Sequence, residues 1–289
     1  MTQTGGCVWL IGADSFTGHY LCPALEEEGY RVDVSAVDIT SADAVQSAMQ
    51  DIQPQYIINL AAISFVPDGA DAAIYGVNCF GAENILAASL QLKTPPRRII
   101  LASSANIYGA QLQEVIDESC LASPINHYGC SKWSMEQIAR TYADRLNITI
   151  TRPFNYTGRG QQDKFLVPKI VTHFKQKAAT IELGNVDIWR DFSDVRWISR
   201  VYSQLLSLPG EELNTFNLCS GQLISIREII ATLENLSGHK MDVVVNPNFV
   251  RQADIVRQRG DNGRLFQKIS HLQNPVAFDE TLAWMLEAQ

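Results

Sequence analysis

A tyrosine and a lysine lie one helical turn apart in the segment HYGCSKWSMEQ, which runs from His127 to Gln137. Residues four positions apart face the same side of a helix, so Tyr128 and Lys132 are predicted neighbours. An ammonium charge beside a phenol favours the phenolate, and we expect it to lower the pKa of Tyr128. Such a phenol can exchange a proton near neutral pH. Taken alone the pair also fits a solvated helical face, so its meaning depends on the surrounding elements.

A glycine-rich turn follows the first apolar run, in the segment WLIGADSFTGHYL. Gly12 comes after a predicted strand, and Gly18 lies at the start of a predicted helix. Backbone N–H groups at a helix N-terminus suit a pyrophosphate, which predicts a dinucleotide site. Ser15 stands where a third glycine is usual, and we expect its N–H and its hydroxyl to contact phosphate. Gly18 also has a packing explanation, because a helix close to a strand needs a small residue there.

The second predicted strand ends without a carboxylate, at Ser35 and Ala36. Enzymes with such a glycine turn often place an acid there, where it binds the ribose hydroxyls of NAD. Without that acid a 2′-phosphate meets no repulsion, which favours NADP, with NAD as the alternative. Asp33 and Asp38 are the acids that could reach the ribose instead, and Arg31 is the nearest candidate for a phosphate contact.

Short apolar runs alternate with helical patterns along the first half of the chain. Predicted strands cover residues 7–11, 31–35, 56–62, 97–104 and 147–153. One predicted helix ends near residue 28, and three others cover about 41–51, 71–90 and 128–145. This alternation indicates βαβ units and a parallel sheet. We therefore predict an α/β fold, a Rossmann-type doubly wound parallel sheet with its functional residues at the carboxyl ends of the strands.

The pattern becomes irregular after Pro153. Residues 1–153 are predicted to form the dinucleotide-binding domain, with segments near 186–210 returning to it. Residues 154–289 would mainly form a smaller α/β substrate-binding domain. Its short strands are expected at 211–217 and 241–245, with a capped helix at 225–236 between them.

Composition narrows the class of protein. The chain has 289 residues, of which 46% are hydrophobic and 19% charged, as is usual for a soluble globular enzyme. The net charge of -8 argues against a nucleic-acid partner or an anionic membrane surface. No apolar run reaches the roughly 20 residues of a membrane span, and no secretory signal is seen. The 6 cysteines are scattered without a metal-like spacing, so we expect no metal site, reduced thiols and a cytoplasmic location.

Four features occur in one order along the chain: the glycine turn, NLAA at 59–62, SSANIYG at 103–109 and YGCSK at 128–132. Together they resemble the extended short-chain dehydrogenase/reductase family, in its nucleotide-sugar branch, over nearly the whole chain. The resemblance implies that Ser104, Tyr128 and Lys132 form the catalytic group. The other residues that it implies for the cofactor are Gly12, Ser15, Phe16, Gly18, Asp38, Ile39, Ala61, Ala62, Asn78 and Pro153, besides Tyr128 and Lys132.

The second half carries RPFNYTGRGQ at 152–161 and VRQADIVRQRGD at 250–261. These segments resemble signatures of enzymes that act on GDP-mannose and on GDP-6-deoxy-4-keto-hexoses. The resemblance implies diphosphate contacts from Asn155, Arg190 and Arg251, and a ribose contact from Asp254. The other residues that it implies for the substrate are Ser104, Asn106 and Lys169. The departures from the family pattern are Tyr156, Arg159, Trp197 and Gln252.

Asn106 separates the reactions that this family performs. Relatives that abstract a proton carry a glutamate or a cysteine at this position, and a carboxamide is no base at neutral pH. We therefore predict NAD(P)H-dependent reduction of a GDP-4-keto-6-deoxy-hexose to GDP-rhamnose or GDP-6-deoxytalose. A nucleotide-sugar 4-epimerase with bound NAD and a dinucleotide-sensing regulator are the alternatives. The family also implies a homodimer, formed through the helices that begin near Asp71 and Tyr128.

Overall fold

The computed structural model describes residues 5–64, 71–210, 213–249 and 256–287. Its strands are β1 (Cys7–Ile11), β2 (Arg31–Asp33), β3 (Tyr56–Asn59), β4 (Arg98–Ala102), β5 (Val115–Ile116), β6 (Ile148–Pro153), β7 (Asn155–Thr157), β8 (Thr180–Leu183), β9 (Trp189–Arg190), β10 (Phe192–Asp194), β11 (Asn214–Leu218), β12 (Ile224–Ser225), β13 (Asp242–Val245) and β14 (Arg257–Gly260). Its α-helices are α1 (Phe16–Glu27), α2 (Ala42–Ile52), α3 (Asp71–Tyr75), α4 (Ala82–Ser89), α5 (His127–Arg140), α6 (Leu166–Lys175), α7 (Val195–Leu205), α8 (Ile226–Ser237), α9 (Gly263–Lys268) and α10 (Phe278–Glu287).

A six-stranded sheet in the order β11-β6-β4-β3-β1-β2 forms the centre of the fold. All of its neighbouring strands are parallel. Parallel neighbours require crossover connections, and the helices between the strands supply them. The predicted α/β fold with a Rossmann-type doubly wound sheet is confirmed.

Both faces of the sheet are buried, as the alternation of side chains along β1 shows. Val8 and Leu10 point into a core that they share with α1 and α7. Trp9 and Ile11 point into the opposite core, which they share with α2, α4 and α5. Successive strand residues face opposite sides of a sheet, so a strand buried on both sides has to be apolar throughout. The continuous run CVWLI meets this requirement.

Three predicted elements differ from the structure. The helix predicted over 71–90 is interrupted by a π-helical turn, Gly76–Gly81, between α3 and α4. The helix predicted to reach residue 145 ends at Arg140, and a chain of turns follows it. The strand predicted at 211–217 for the smaller domain is β11, which pairs with β6 in the central sheet. Local pattern cannot say which sheet a strand joins, because a partner distant in sequence decides it.

The second half builds a third core, between α6, α8, α10 and the parallel pair β8 and β13. This pair includes the strand predicted near 241–245. Short strands β12, β9, β14 and β5 form a further sheet, and β10 pairs with β7. α7 packs on α1 beside the central sheet. The return of residues near 186–210 to the first domain stays a prediction. The domain boundary after Pro153 remains a prediction.

Two kinds of feature are absent from the part of the chain that the structure describes. None of its helices combines the length and the apolar character that crossing a bilayer requires. The described side chains also contain no group of three or more histidine, cysteine or acidic residues arranged to hold a metal ion.

Candidate active site

The predicted functional segments follow the carboxyl ends of the central strands. Gly12 comes directly after β1, the Ser103–Ser104 pair follows β4, and Pro153 ends β6. β1, β3, β4 and β6 are consecutive neighbours in the sheet, so these ends share one edge. Ligands of open α/β sheets bind at this edge.

The glycine turn is held too closely for larger residues. Gly12 has a φ of +83°, and a Cβ atom there would lie 2.9 Å from the backbone nitrogen of Ala61. A Cβ atom on Gly18 would lie 2.4 Å from the carbonyl oxygen of Ala13. Both glycines therefore let the backbone of the turn approach its neighbours. A cradle of this shape, directly before α1, fits a diphosphate group.

Ser15 closes this turn from within. Its N–H donates to the carbonyl of Gly12 at 3.1 Å, and its hydroxyl accepts from the N–H of Gly18 at 3.1 Å. The N–H of Ser15 thus already has a partner within the turn, and the phosphate contact expected from the sequence stays a prediction. The next N–H groups, of Phe16 and Thr17, belong to the first turn of α1, where helix geometry provides no intrahelical partner. They are the better candidates for phosphate donors.

The second strand leads to the predicted adenosine side of the site. The Asp33 carboxylate accepts from the N–H of Ser35 at 3.0 Å, which engages it locally. Asp38 accepts from the N–H and the hydroxyl of Thr40, and these bonds lower the pKa of its carboxyl group. Ile39 is buried, and its carbonyl accepts from Asn84. The carboxylates near the end of β2 therefore already hold partners in their own turns.

Asn78 lies in the π-helical turn and is 1% exposed. Its carboxamide accepts from the N–H of Ile63 at 2.8 Å and donates to the carbonyl of Ile63 at 2.9 Å and to the Ser131 hydroxyl at 3.0 Å. These bonds tie the segment after β3, which contains Ala61 and Ala62, to α5. The side chain of Asn78 thus helps to hold the segment that is predicted to contact the cofactor.

The predicted catalytic residues come from two elements that pack together. Ser104 is 6% exposed and caps the 3-10 helix Ala105–Tyr108. Tyr128 and Lys132 lie in the first turns of α5, which begins after the capping residue Asn126. The Ser104 side chain opposes the rise that burial causes in the pKa of Tyr128, so the two residues are neighbours. The predicted serine and tyrosine therefore lie near one another.

Lys132 differs from the sequence-based expectation. Its side chain is buried, and its Nζ donates to the carbonyl of Ala102 at 2.6 Å. Burial lowers the pKa of Lys132 to about 8, and Glu136 opposes this effect. The pKa of Tyr128 is raised to about 12, first by burial and then by the neighbouring Tyr156. The expected lowering of the pKa of Tyr128 by Lys132 is therefore wrong for this structure, because removing the phenol from solvent disfavours its charged form.

A buried ion pair behind the catalytic group was not predicted. Glu136 and Arg152 lie 2.6 Å apart, with side chains 0% and 4% exposed. Glu136 also accepts from the Ser103 hydroxyl at 2.6 Å, and Arg152 donates to Tyr108. The signal for Glu136 was its spacing, because it continues the four-residue repeat of Tyr128 and Lys132 along α5. Arg152 stands in β6, and nothing local in the sequence marks it as the partner.

Tyr156, a departure from the family pattern, contacts the glycine turn. Its hydroxyl lies 2.8 Å from that of Thr17, and its ring stacks on Phe16 with the centroids 6.1 Å apart. Arg159, a second departure, donates to the carbonyl of Trp284 at 2.6 Å. The RPFNYTGRGQ segment thus connects the predicted cofactor turn to α10.

The predicted substrate residues are spread over the second half. Asn155 is exposed and donates to the carbonyl of Asp191 at 3.0 Å. Arg190 lies in β9, between β12 and β14, and donates to the carbonyl of Trp189. Lys169 donates to the carbonyl of Glu182 at 2.7 Å. Arg251 and Asp254 lie outside the described residues.

The buried carboxylate of Asp191 fixes the loops beside Asn155 and Arg190. It accepts from the N–H and the hydroxyl of Ser220 at 2.8 and 2.7 Å. It also accepts from the N–H groups of Gly221 and Gly260, at 2.9 and 3.2 Å. Sequence reasoning missed this residue, although the motif RDFSD contains it.

The chain is similar in sequence to enzymes that are named for GDP-sugars. The sequence profile of the family described as GDP-mannose 4,6 dehydratase matches residues 19–285. GDP-6-deoxy-D-talose 4-dehydrogenase from Aggregatibacter actinomycetemcomitans is 36% identical over 270 residues, which cover 91% of each chain. GDP-6-deoxy-D-mannose reductase from Pseudomonas aeruginosa is 30% identical over 239 residues, 79% of this chain and 78% of that one.

A solved structure shows the same fold along nearly the entire length. It is the structure of RMD from Pseudomonas aeruginosa complexed with NADPH, which has a TM-score of 0.88 and 25% identity. The match covers 99% of this chain and 98% of that chain. With the profile match and the two enzymes, it identifies the chain as a member of the GDP-mannose 4,6 dehydratase family, in the nucleotide-sugar branch of the extended short-chain dehydrogenases/reductases.

Proposed function

We propose that this protein catalyses the NAD(P)H-dependent reduction of the 4-keto group of a GDP-4-keto-6-deoxy-hexose. The proposal is supported by the closeness of Ser104 and Tyr128 and by the burial of Lys132 in the same helix, with the uncharged Asn106 at the position of a base in related enzymes. Two hydroxyl donors suit a ketone oxygen, and no second acid–base group is needed for its reduction. The names of the two similar enzymes, both concerned with GDP-6-deoxy-hexoses, support the substrate class.

The proton moves through Tyr128. Ser104 and Tyr128 donate hydrogen bonds to the keto oxygen and stabilise the negative charge that develops on it. The cofactor supplies a hydride when bound. As the new C–H bond forms and the C=O π bond breaks, the Tyr128 hydroxyl gives its proton to the oxygen and becomes a phenolate. Lys132 contributes a positive charge that favours this phenolate.

The residues around the glycine turn fit a dinucleotide. Gly12 and Gly18 let the backbone of the turn pack closely on Ala61 and Ala13. The N–H groups in the first turn of α1 are suitable donors for a diphosphate. Similarity to a protein solved with NADPH supports this assignment. NADP is the proposed form, since the end of β2 carries Ser35 and Ala36, and NAD is the alternative.

The proposed substrate site lies beyond the carboxyl ends of β6 and β7. Asn155 and Arg190 would contact the diphosphate, because amide and guanidinium donors match its oxygens. The product would be GDP-rhamnose or GDP-6-deoxytalose, according to the face of the ketone that receives the hydride. The two similar enzymes are named for sugars that differ in this way at carbon 4.

A homodimer in a reducing cytoplasmic compartment completes the proposal. The dimer would form through α5 and the segment that begins near Asp71, which comprises α3, the π-helical turn and α4, as the family resemblance implies. Phe80, next to α4, is 56% exposed, which suits a residue that a partner covers. All 6 cysteines are free thiols in the structure, which suits a reducing compartment. Sedimentation analysis of the wild-type protein and of Phe80→Ser tests the dimer, and a monomeric wild type contradicts it.

Reduction in heavy water provides the main test. The purified protein should oxidise NADPH only when the keto-sugar is present, and it should leave GDP-mannose unchanged. The product should carry no solvent deuterium at carbons 3 and 5 beyond a protein-free control. Deuterium at either carbon shows that another residue acts as a base, and turnover without added reductant favours the 4-epimerase. A protein that binds the dinucleotide but never turns over supports the regulatory alternative.

A further inference from the structure

The Ser104 hydroxyl receives two hydrogen bonds from one residue. The backbone N–H of Asn106 donates to Oγ at 3.1 Å, and the Nδ2 of the same residue donates to Oγ at 3.0 Å. A serine hydroxyl has two acceptor positions and a single hydrogen. Asn106 therefore fills both acceptor positions of Ser104.

The remaining hydrogen of Ser104 can only be donated. Tyr128 is the neighbouring hydroxyl group, since the Ser104 side chain opposes the rise in the pKa of that phenol. When a keto oxygen lies between the two hydroxyls, this same hydrogen meets that oxygen. A serine whose lone pairs were free could instead rotate and accept from Tyr128, which would remove one donor from the developing negative charge.

Contacts with Gly129 and Gly109 hold the backbone of Asn106 in place. A Cβ atom on Gly129 would lie 2.7 Å from the carbonyl oxygen of Asn106, so α5 packs directly on this residue. The N–H of Gly109 donates to the same carbonyl at 3.4 Å. Asn106 is thus fixed between the 3-10 helix and the turn that carries Tyr128, although its side chain is exposed.

We propose that Asn106 is a positioning residue that holds the Ser104 hydroxyl as a hydrogen-bond donor toward Tyr128 and the keto oxygen. The inference rests on the proposed function and deepens it. It gives the carboxamide a role of its own, where the related enzymes carry a glutamate or a cysteine. An acid at this position would accept from Ser104 and turn its hydrogen away from the reacting oxygen.

Asn106→Asp tests this role, because it replaces the Nδ2 donor by an acceptor of nearly the same shape. We expect kcat for the reduction to fall about 10–100-fold, since one donor to the developing oxyanion is lost, while KM changes less than about threefold. Asn106→Ala keeps the backbone donor and should lose only about 3–10-fold in kcat. An Asn106→Asp variant with wild-type kcat overturns the proposal.

A double-mutant cycle with Ser104→Ala shows whether Asn106 acts through Ser104. In that background, the substitutions of Asn106 should change kcat by less than about twofold, because their target is gone. The same fold-loss in both backgrounds means that Asn106 acts directly on the substrate, and this result contradicts the positioning role. A circular dichroism spectrum of each variant confirms that it is folded.

A measurement without substrate separates this inference from the proposed function. With a pKa of about 12, about a tenth of Tyr128 is ionised at pH 11. The phenolate absorbance is read just after a pH jump, as the difference between each protein and its Tyr128→Phe counterpart. Asn106→Asp should reduce the phenolate signal severalfold, and an unchanged signal overturns the role of Asn106. A wild type that leaves the keto-sugar unreduced contradicts the proposed function alone.

Discussion

The carbonyl oxygen of Asn106 lies 2.7 Å from the point that a Cβ atom of Gly129 would occupy. The glycine after Tyr128 therefore allows the first turn of α5 to pack against the segment after Ser104. Ser104 and Tyr128 stand on the two sides of this contact, so it bears on the distance between the hydroxyls that we propose to bind one substrate oxygen. The absence of a side chain at Gly129 therefore matters for the proposed site.

Gly129→Ala should therefore lower both stability and activity, although alanine usually stabilises a helix. The new methyl group meets backbone, which has to shift, and we expect a loss of about 1–3 kcal/mol in the free energy of unfolding. Gly76→Ala is the matched control, since no atom lies within 4 Å of its Cβ position. Urea unfolding and kcat measure both variants. Equal stabilities would contradict the close contact.

Tyr128→Phe should remove the proton donor while the fold and dinucleotide binding persist. The expected loss in kcat is about 10²–10⁴-fold, the usual contribution of general acid catalysis. Tyr142→Phe is the control, because Tyr142 lies beyond the other end of α5, beside Arg145. Steady-state kinetics with the keto-sugar and dinucleotide titration measure the two effects. A Tyr128→Phe enzyme with near wild-type turnover would remove Tyr128 from the mechanism.

The stability of the wild type should rise with pH between about 8 and 10.5 through Lys132. Burial lowers the pKa of this lysine from 10.5 to about 8, so in this window the unfolded chain binds more protons than the folded protein. The full effect corresponds to about 3 kcal/mol. Urea unfolding at pH 7.5 and 9.5 should show a smaller rise for Lys132→Met. Parallel pH profiles for the two proteins would show that Lys132 is not the titrating group.

Glu136→Gln should destabilise the protein strongly, because it leaves the buried guanidinium of Arg152 without its carboxylate. Breaking a buried pair from one side costs about 3–5 kcal/mol. The exposed pair of Arg227 and Asp187, with side chains 65% and 60% exposed, is the control. Asp187→Asn should cost no more than about 1 kcal/mol. Similar losses in the free energy of unfolding for the two variants, measured with urea, would show that burial does not make the Glu136–Arg152 pair more costly to break.

The cofactor should be NADPH in preference to NADH. Asp33 is engaged by the N–H of Ser35, and Ala36 brings no charge to the end of β2. Ala36→Asp should shift kcat/KM toward NADH, because the new carboxylate repels a 2′-phosphate, whereas Ala36→Ser should not. A strong preference of the wild type for NADH would mean that Asp33 or Asp38 reaches the ribose.

The sequence by itself determined the α/β class and most of the central strands, because apolar runs and a glycine turn are local signals that survive in a one-dimensional pattern. The catalytic roles of Ser104, Tyr128 and Lys132 were implied by the resemblance to the family. The tertiary structure decided the placement of β11 in the central sheet and the pairing of Glu136 with Arg152. It also decided the direction in which the pKa of Tyr128 shifts, because burial depends on neighbours that are distant in the chain.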